Sequence, residues 1–448
     1  MTQPRSTLIT LVDYPKTPPM SLKSIFMPAI TLWWLSPARL GRQRAAAERS
    51  RKARGERHTV HYFHQVDDPY SALMLQCLPR LTERYDLDLQ AHVVSPPSDA
   101  AAPDRDRLIA YSRKDAAWLA TRYGLDFVDH GQQPTPAQLH RITAHSVQAI
   151  EEGQFFDQSR HLFAALWNGA PQSDENPPLA LASDHQVQSH LQASDALRQR
   201  WGHYNGGMLY HAGEWYWGID RLHYLETRLQ ALGAARLRTT GLMFPPEAAT
   251  HWPQAQSGST IEFFFSLRSP YSYIAAQRLF ALTQDTGMQV KLRYVLPMVM
   301  RGLAVPRHKR MYISQDAARE AQRLGIPFGR INDPVGKPTE RGLSVMPLAE
   351  SKGLGQAFVL SFMRGVWAEG LDAGSDSGLK KICTRAGLDW SEVCTALQNN
   401  EWRQVAEKNR KDMLAMGLWG VPGFKLGDTV VWGQDRLAAL EAALRSDR

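Results

Sequence analysis

Ile261-Glu-Phe-Phe-Phe-Ser-Leu-Arg-Ser-Pro-Tyr-Ser-Tyr273 is the stretch from which the fold can be read. Ile261–Phe265 is short and aromatic, the composition of a strand. Pro270 suits the first turn of a helix, with Ser269 before it as the N-cap. Ile274, Leu279 and Leu282 then recur on one face at helical spacing. Val290–Val295 alternates as a second strand and is ended by Pro297. Beyond it the spacing predicts helices over Asp316–Leu324, Gly355–Glu369, Gly378–Ala386, Ser391–Gln398 and Trp402–Met416. Two short strands flank Gly427-Asp428, a hairpin-type turn, and Asp435–Arg445 closes the chain as a helix. The reading is a β-α-β half and a β-β-α half with a helical insertion between them.

The same order of signals occurs earlier. Val60-His-Tyr-Phe-His-Gln-Val-Asp-Asp-Pro-Tyr-Ser71 opens the earlier segment, and Trp217-Gly-Ile-Asp-Arg-Leu222 matches Trp432-Gly-Gln-Asp-Arg-Leu437 at its close. Asp68, Pro69, Tyr111 and Asp115 each stand 201 residues before Ser269, Pro270, Tyr312 and Asp316, while the closing motifs are 215 apart. Matching pairs at both ends point to a tandem duplication, and a repeat of domain size excludes a solenoid. The expected organisation is a basic arm over residues 1–57, a degenerate domain over 58–237, a linker over 238–259 and an intact domain over 260–448. Pro245-Pro246 and Ser257-Gly-Ser259 mark the linker.

At 448 residues the chain is comfortable for two domains. Apolar content of 43% with 13 Trp argues for packed structure. The net charge of +8 is concentrated before the first repeat, where over residues 39–57 Arg39, Arg42, Arg44, Arg49, Arg51, Lys52, Arg54 and Arg57 face only Glu48 and Glu56. The domains are therefore close to neutral, which argues against a nucleic-acid role. Three cysteines, none in C-x-x-C, suit a reducing, cytoplasmic setting. No run reaches the ~18–20 apolar residues of a membrane span. Ile25–Leu35 reads as an interfacial helix, giving the arm a peripheral contact with membrane or protein, or as a leader that packs on domain one or stays loose. Residues 1–19 carry no pattern, so Met20 is an alternative start.

Four elements carry candidate chemistry. Ser269 caps a helix where unpaired N–H groups and the dipole favour negative charge. A thiolate there is stabilised, and with no cysteine at the position the serine would donate to a thiolate brought by a ligand; the alternative is an ordinary N-cap. A cis Val421-Pro422 bond would expose Val421 to an extended, peptide-like ligand. Asp435, with Gln434, either caps the last helix or accepts from a ligand ammonium. Lys309, among Arg307, His308 and Arg310, either holds a carboxylate or belongs to a solvated basic surface.

Taken together, Phe-Phe-Phe-Ser-Leu-Arg-Ser269-Pro-Tyr-Ser-Tyr, Arg-His-Lys309-Arg-Met-Tyr312, Gly-Ile-Pro-Phe328, Trp367-Ala-Glu-Gly, Asn409, Gly-Val-Pro422 and Trp-Gly-Gln-Asp435-Arg-Leu resemble the 2-hydroxychromene-2-carboxylate isomerases. These belong with kappa-class glutathione transferases in the DsbA-like branch of the thioredoxin fold. The resemblance covers about residues 260–445, and residues 58–232 are similar to the same fold more faintly. It implies two tandem α/β DsbA-like domains with glutathione as cofactor. Ser269 would hydrogen-bond the glutathione sulfur, Val421, beside a cis Pro422, would pair with the tripeptide backbone, and Gln434 and Asp435 would hold its γ-glutamyl end. Lys309 would lie near the glycyl end or the substrate. Two departures stand out: Gly302–Pro306 lacks an Asn that some members carry, and Gly423 replaces a usual Thr or Ser. Asp68 in place of the serine, and Gly206-Gly207 in place of the proline, predict a first domain that binds no glutathione productively and serves as scaffold. Pairing between the domains or into a homo-oligomer is a further expectation. The rival readings are a non-catalytic binding or assembly protein and a thiol–disulfide oxidoreductase. The latter would need a low-pKa cysteine at the Ser269 position.

Overall fold

The computed structural model describes residues 22–168, 181–236, 241–246, 252–254 and 258–446. The alternative start at Met20 and parts of the expected linker lie outside them. In chain order, α1 (Leu22–Trp34) and α2 (Pro37–Ala53) precede β1 (His58–His64), α3 (Pro69–Arg84), β2 (Leu87–Val93), α4 (Arg105–Tyr123), α5 (Pro136–Glu151), α6 (Phe155–Asn168) and α7 (Asp184–Arg200). Next come β3 (Met208–His211), β4 (Glu214–Trp217), α8 (Leu222–Ala231), β5 (Thr260–Phe265), α9 (Pro270–Thr283), β6 (Gln289–Tyr294) and α10 (Arg307–Arg323). The chain closes with α11 (Lys337–Ser351), α12 (Gly355–Trp367), α13 (Asp376–Arg385), α14 (Trp390–Ala396), α15 (Trp402–Ala415), β7 (Gly423–Leu426), β8 (Thr429–Trp432) and α16 (Leu437–Ser446).

These strands make two four-stranded sheets of the same order, β2-β1-β3-β4 and β6-β5-β7-β8. In each, the first two strands are parallel and joined through a helix, and the last two form an antiparallel hairpin. β5 lies inside its sheet, so Phe263, Phe264 and Phe265 are all buried although they alternate in direction. Val60, Tyr62 and Phe63 of β1 are buried for the same reason. Gly427, at φ +54, makes the β7–β8 turn that Gly-Asp announced.

Sequence spacing misplaced two helices. α10 begins at Arg307, nine residues before Asp316, because its first turns bury little besides Lys309 and Tyr312 and show no apolar stripe. α11 escaped notice because Pro338 and Pro347 both lie in it. Pro338 sits in the first turn, where its missing N–H costs nothing.

The chain forms two compact units. One comprises Met1–Trp33 with Phe328–Trp402, and its core is Phe358, Phe362, Leu379 and Ile382. The other, Trp34–Pro327 with Arg403–Arg448, contains both sheets.

Within this second unit the two sheets are joined by reciprocal, buried ion pairs. Arg436 donates to both oxygens of Asp115 (2.7 and 2.8 Å) and to Asp220 (2.9 and 2.8 Å). Arg221 donates to Asp316 (3.0 and 3.1 Å) and to Asp435 (3.0 Å). Tyr70 and Tyr271 each add a hydrogen bond of 2.8 Å, to Asp115 and Asp316 respectively. Tyr111, from α4, reaches the second sheet, accepting from Trp432 N–H (2.6 Å) and donating to its carbonyl (3.2 Å). Tyr312, from α10, is buried among Phe63, Met208 and Trp215 of the first sheet.

Both carboxylates of Asp115 and Asp316 are nearly inaccessible, so removing a guanidinium strands a charge out of water. Arg436→Met should lower the unfolding free energy by about 3–5 kcal/mol in urea titrations. Arg44→Met should cost less than about 1 kcal/mol, because Glu214 keeps Arg228 at 2.8 Å.

Candidate active site

Strand direction gathers the expected residues. β5 and β6 run parallel, β7 opposes β5 and β8 opposes β7. Ser269 after β5, Lys309 after β6, Val421-Pro422 before β7 and Gln434-Asp435 after β8 therefore all lie at one edge of the second sheet. This is the carboxyl edge of the parallel pair, where open α/β sheets bind ligands.

Ser269 has extended backbone and caps α9. Its Oγ accepts from Ser272 N–H at 3.1 Å, and its own proton has no acceptor among the described residues. The residue is partly exposed. The hydroxyl thus satisfies one helix-end donor and keeps one hydrogen bond to give.

At the matching edge of the first sheet, Asp68 caps α3 and is saturated. Its carboxylate accepts from Ser71 N–H (3.0 Å), Ser71 Oγ (2.8 Å) and Tyr70 N–H (3.3 Å). Burial pushes this carboxyl up to about 7. A Cβ on Gly207, whose φ is +61, would sit 3.1 Å from Asp68 Oδ2. That edge is filled by its own side chains.

The Val421–Pro422 bond is cis. Pro422 is buried and its carbonyl accepts from Gly433 N–H at 2.8 Å, as Gly207 does from Gly218 (2.9 Å). Val421 is half-buried, and neither its N–H nor its carbonyl has a partner among the described residues. Gly423 has a packing reason: a Cβ there would lie 2.8 Å from Leu418 Cδ1.

Gln434 and Asp435 are largely engaged within the protein. Gln434 is buried, accepts from Arg278 at its carbonyl (2.5 Å) and Oε1 (2.8 Å), and donates to Glu320 (3.0 Å) and Asp435. The polar atoms of its side chain are spent on neighbours. Asp435 is tied to Arg221 but stays partly exposed, and burial lifts its carboxyl to about 6. Of the pair, Asp435 is the one with an oxygen to offer an ammonium.

Lys309 is buried, not part of a solvated basic surface. Nζ donates to Ala101 carbonyl at 2.5 Å and lies over the rings of Trp419 (5.1 Å) and Tyr204 (5.6 Å). It has no carboxylate partner among the described residues, and burial pulls its pKa down to about 8. A buried ammonium with only π-faces and a carbonyl is under-compensated.

The residues that sequence reasoning missed are Arg221, Arg436, Asp115, Asp316 and Asp220. Their signal was present: each arginine and its aspartates recur at the two offsets. An open pocket of about 660 Å³, lined by Thr260, Glu262, Gln289, Lys291 and Lys425, lies at the opposite end of the strands, away from Ser269. Cysteine chemistry has little footing, since Cys77 and Cys383 are buried and burial raises both thiols, Cys383 to about 12. Cys394 is exposed, in the helical unit.

Residues 260–445 match the DsbA-like thioredoxin domain, which places the second sheet and its helices in that class. Over much the same length the chain is similar to the 2-hydroxychromene-2-carboxylate isomerase of Pseudomonas putida, at 27% identity over 192 residues, 41% of this chain and 93% of that protein. The isomerase of Sphingobium xenophagum is 25% identical over 193 residues, 41% of this chain and 97% of its own length. A solved 2-hydroxychromene-2-carboxylate isomerase aligns with 42% of this chain and 95% of its own at 27% identity, with a TM-score of 0.37.

Lys309 gives a pH signature with a definite sign. Its folded pKa of about 8 lies below the ordinary lysine value, so the unfolded chain binds the proton more tightly. Its burial therefore costs stability in full below about pH 8, and the cost fades as the pH rises towards about 10.4, the unfolded value. Lys309→Met should be more stable than the parent at pH 7, on the order of 3 kcal/mol by this linkage. The gap should close on raising the pH past 8 towards 10, followed by melting temperature.

Proposed function

We propose that the protein is a glutathione-dependent isomerase or transferase acting at the carboxyl edge of its second sheet. The observation that carries the reading is the unspent hydroxyl proton of Ser269 at a helix N-terminus. Three further groups fit the tripeptide. Val421 presents unpaired backbone groups, suited to strand-like pairing. Lys309 is a cation without an anion, suited to a carboxylate. Asp435 keeps part of its carboxylate exposed for an ammonium.

When bound, glutathione supplies a sulfur nucleophile suited to reversible addition to an unsaturated, electrophilic substrate. Ser269 stabilises the sulfur as its anion by donating a hydrogen bond, while the α9 N-terminus adds its partial positive charge. The names of the similar proteins favour an aromatic or heteroaromatic carboxylate as substrate.

In the same reading the two halves arose by duplication and the first serves as scaffold. The shared strand order, the two constant offsets and the reciprocal ion pairs support this. A saturated Asp68 has its oxygens engaged, and in its ionised form it would oppose a thiolate.

Calorimetry with glutathione, combined with ultraviolet titration of the bound thiol, tests the reading. The parent protein should bind the tripeptide and hold its thiol about one unit or more below the free value. Ser269→Ala should bind with affinity changed less than about tenfold, yet lose most of that depression and about 10²-fold or more of turnover. No heat of binding, or an identical thiol titration in parent and variant, would overturn it.

A further inference from the structure

α1 is a helix whose apolar side chains face outward. Ile25, Phe26, Met27, Ile30, Leu32 and Trp33 are all exposed, Phe26 at 60% and Ile30 at 52%. What holds α1 is a narrow strip on its other side. Pro28 is buried so close to Gly370 that a Cβ there would lie 2.7 Å from the proline. Thr31 Oγ1 accepts from Ile331 N–H at 3.0 Å. Phe26, Ile30 and Trp33 stand at i, i+4 and i+7, on the face opposite Pro28 and Thr31. Helices of water-facing proteins place their apolar stripe inward; this one is inverted.

The chain continues through Leu35 and Ser36 alone into α2, whose charge is strongly positive. Arg44 is anchored inward on Glu214 at 2.7 Å. Arg42 and Arg49, seven residues apart on one face, are exposed and have no ion pair among the described residues. We propose that α1 is an interfacial anchor that docks on an anionic phospholipid surface, with the arginines that follow it closely in the chain drawn to the headgroups.

Both the length and the charge favour this occupant. At 13 residues α1 measures about 20 Å, short of the ~30 Å hydrocarbon core, so it lies in the interface instead of spanning it. No helix among the described residues is long and apolar enough to cross a membrane. An exposed apolar helix followed in the chain by arginines without ion partners among the described residues supplies the two signals that stable peripheral binding requires.

Flotation of the full chain with vesicles tests the proposal. Partitioning should rise at least about tenfold from pure phosphatidylcholine to a mixture with roughly one-third phosphatidylglycerol, and should fall as salt is added. Phe26→Glu with Ile30→Glu should abolish binding to both vesicle types. Arg42→Glu with Arg49→Glu should remove the anionic gain alone. All four positions are exposed, and an unchanged melting temperature will verify that each variant folds. The proposal is overturned if the parent stays unbound with anionic vesicles, or if Phe26→Glu/Ile30→Glu binds like the parent. It is equally overturned if sedimentation shows a dimer that this variant dissolves while lipid binding is nil, which would make a second copy the occupant.

Discussion

Two guanidinium groups set most of what this protein can be. Arg221 and Arg436 are each out of water, each between two carboxylates of the opposite half. Desolvation alone would expel such charges. The attraction of two aspartates and the fork geometry of arginine offset it, and the arginines are held charged well above their usual range. Association of the two sheets is therefore the condition for leaving these groups inside. Once it is met, α4 and α10, which carry Asp115 and Asp316, are fixed against the closing motifs after β4 and β8.

That constraint reaches the candidate site. Asp435 belongs to the arginine network and also to the edge where Ser269, Lys309 and Val421 converge. Lys309 is held by a carbonyl and a tyrosine of the first half as well as a tryptophan of the second. The candidate edge of the second sheet thus has electrostatics that are completed by the first half. The first sheet, saturated at Asp68, contributes structure there and nothing to spare.

Much of this was legible in the sequence wherever a local rule has one solution. Ser269-Pro270 reads as a helix start and the aromatic run Ile261–Phe265 as a strand, while its cover on both faces shows only in the sheet order. The hairpin at Gly427-Asp428 followed from turn chemistry. The edge shared by Ser269, Val421 and Lys309 follows once strand directions are known. What stayed hidden depended on partners distant along the chain. The Gln434 side chain meets Arg278 and Glu320 only in the fold, and whether Lys309 holds a carboxylate or joins a solvated surface could not be read until Tyr204 and Trp419 were seen to close over it. α11 was lost because prolines in a helix are judged by position, and its position depends on where the helix starts.

A further consequence follows from the two sheets sharing one polypeptide. In an assembly of identical subunits every substitution appears on both sides of the axis, so Asp68 and Ser269 could never differ. Tethering also makes the encounter between halves independent of how much protein a cell contains. Freed from symmetry and from dilution, the two sheets can carry different side chains at their corresponding edges, as Asp68 and Ser269 do.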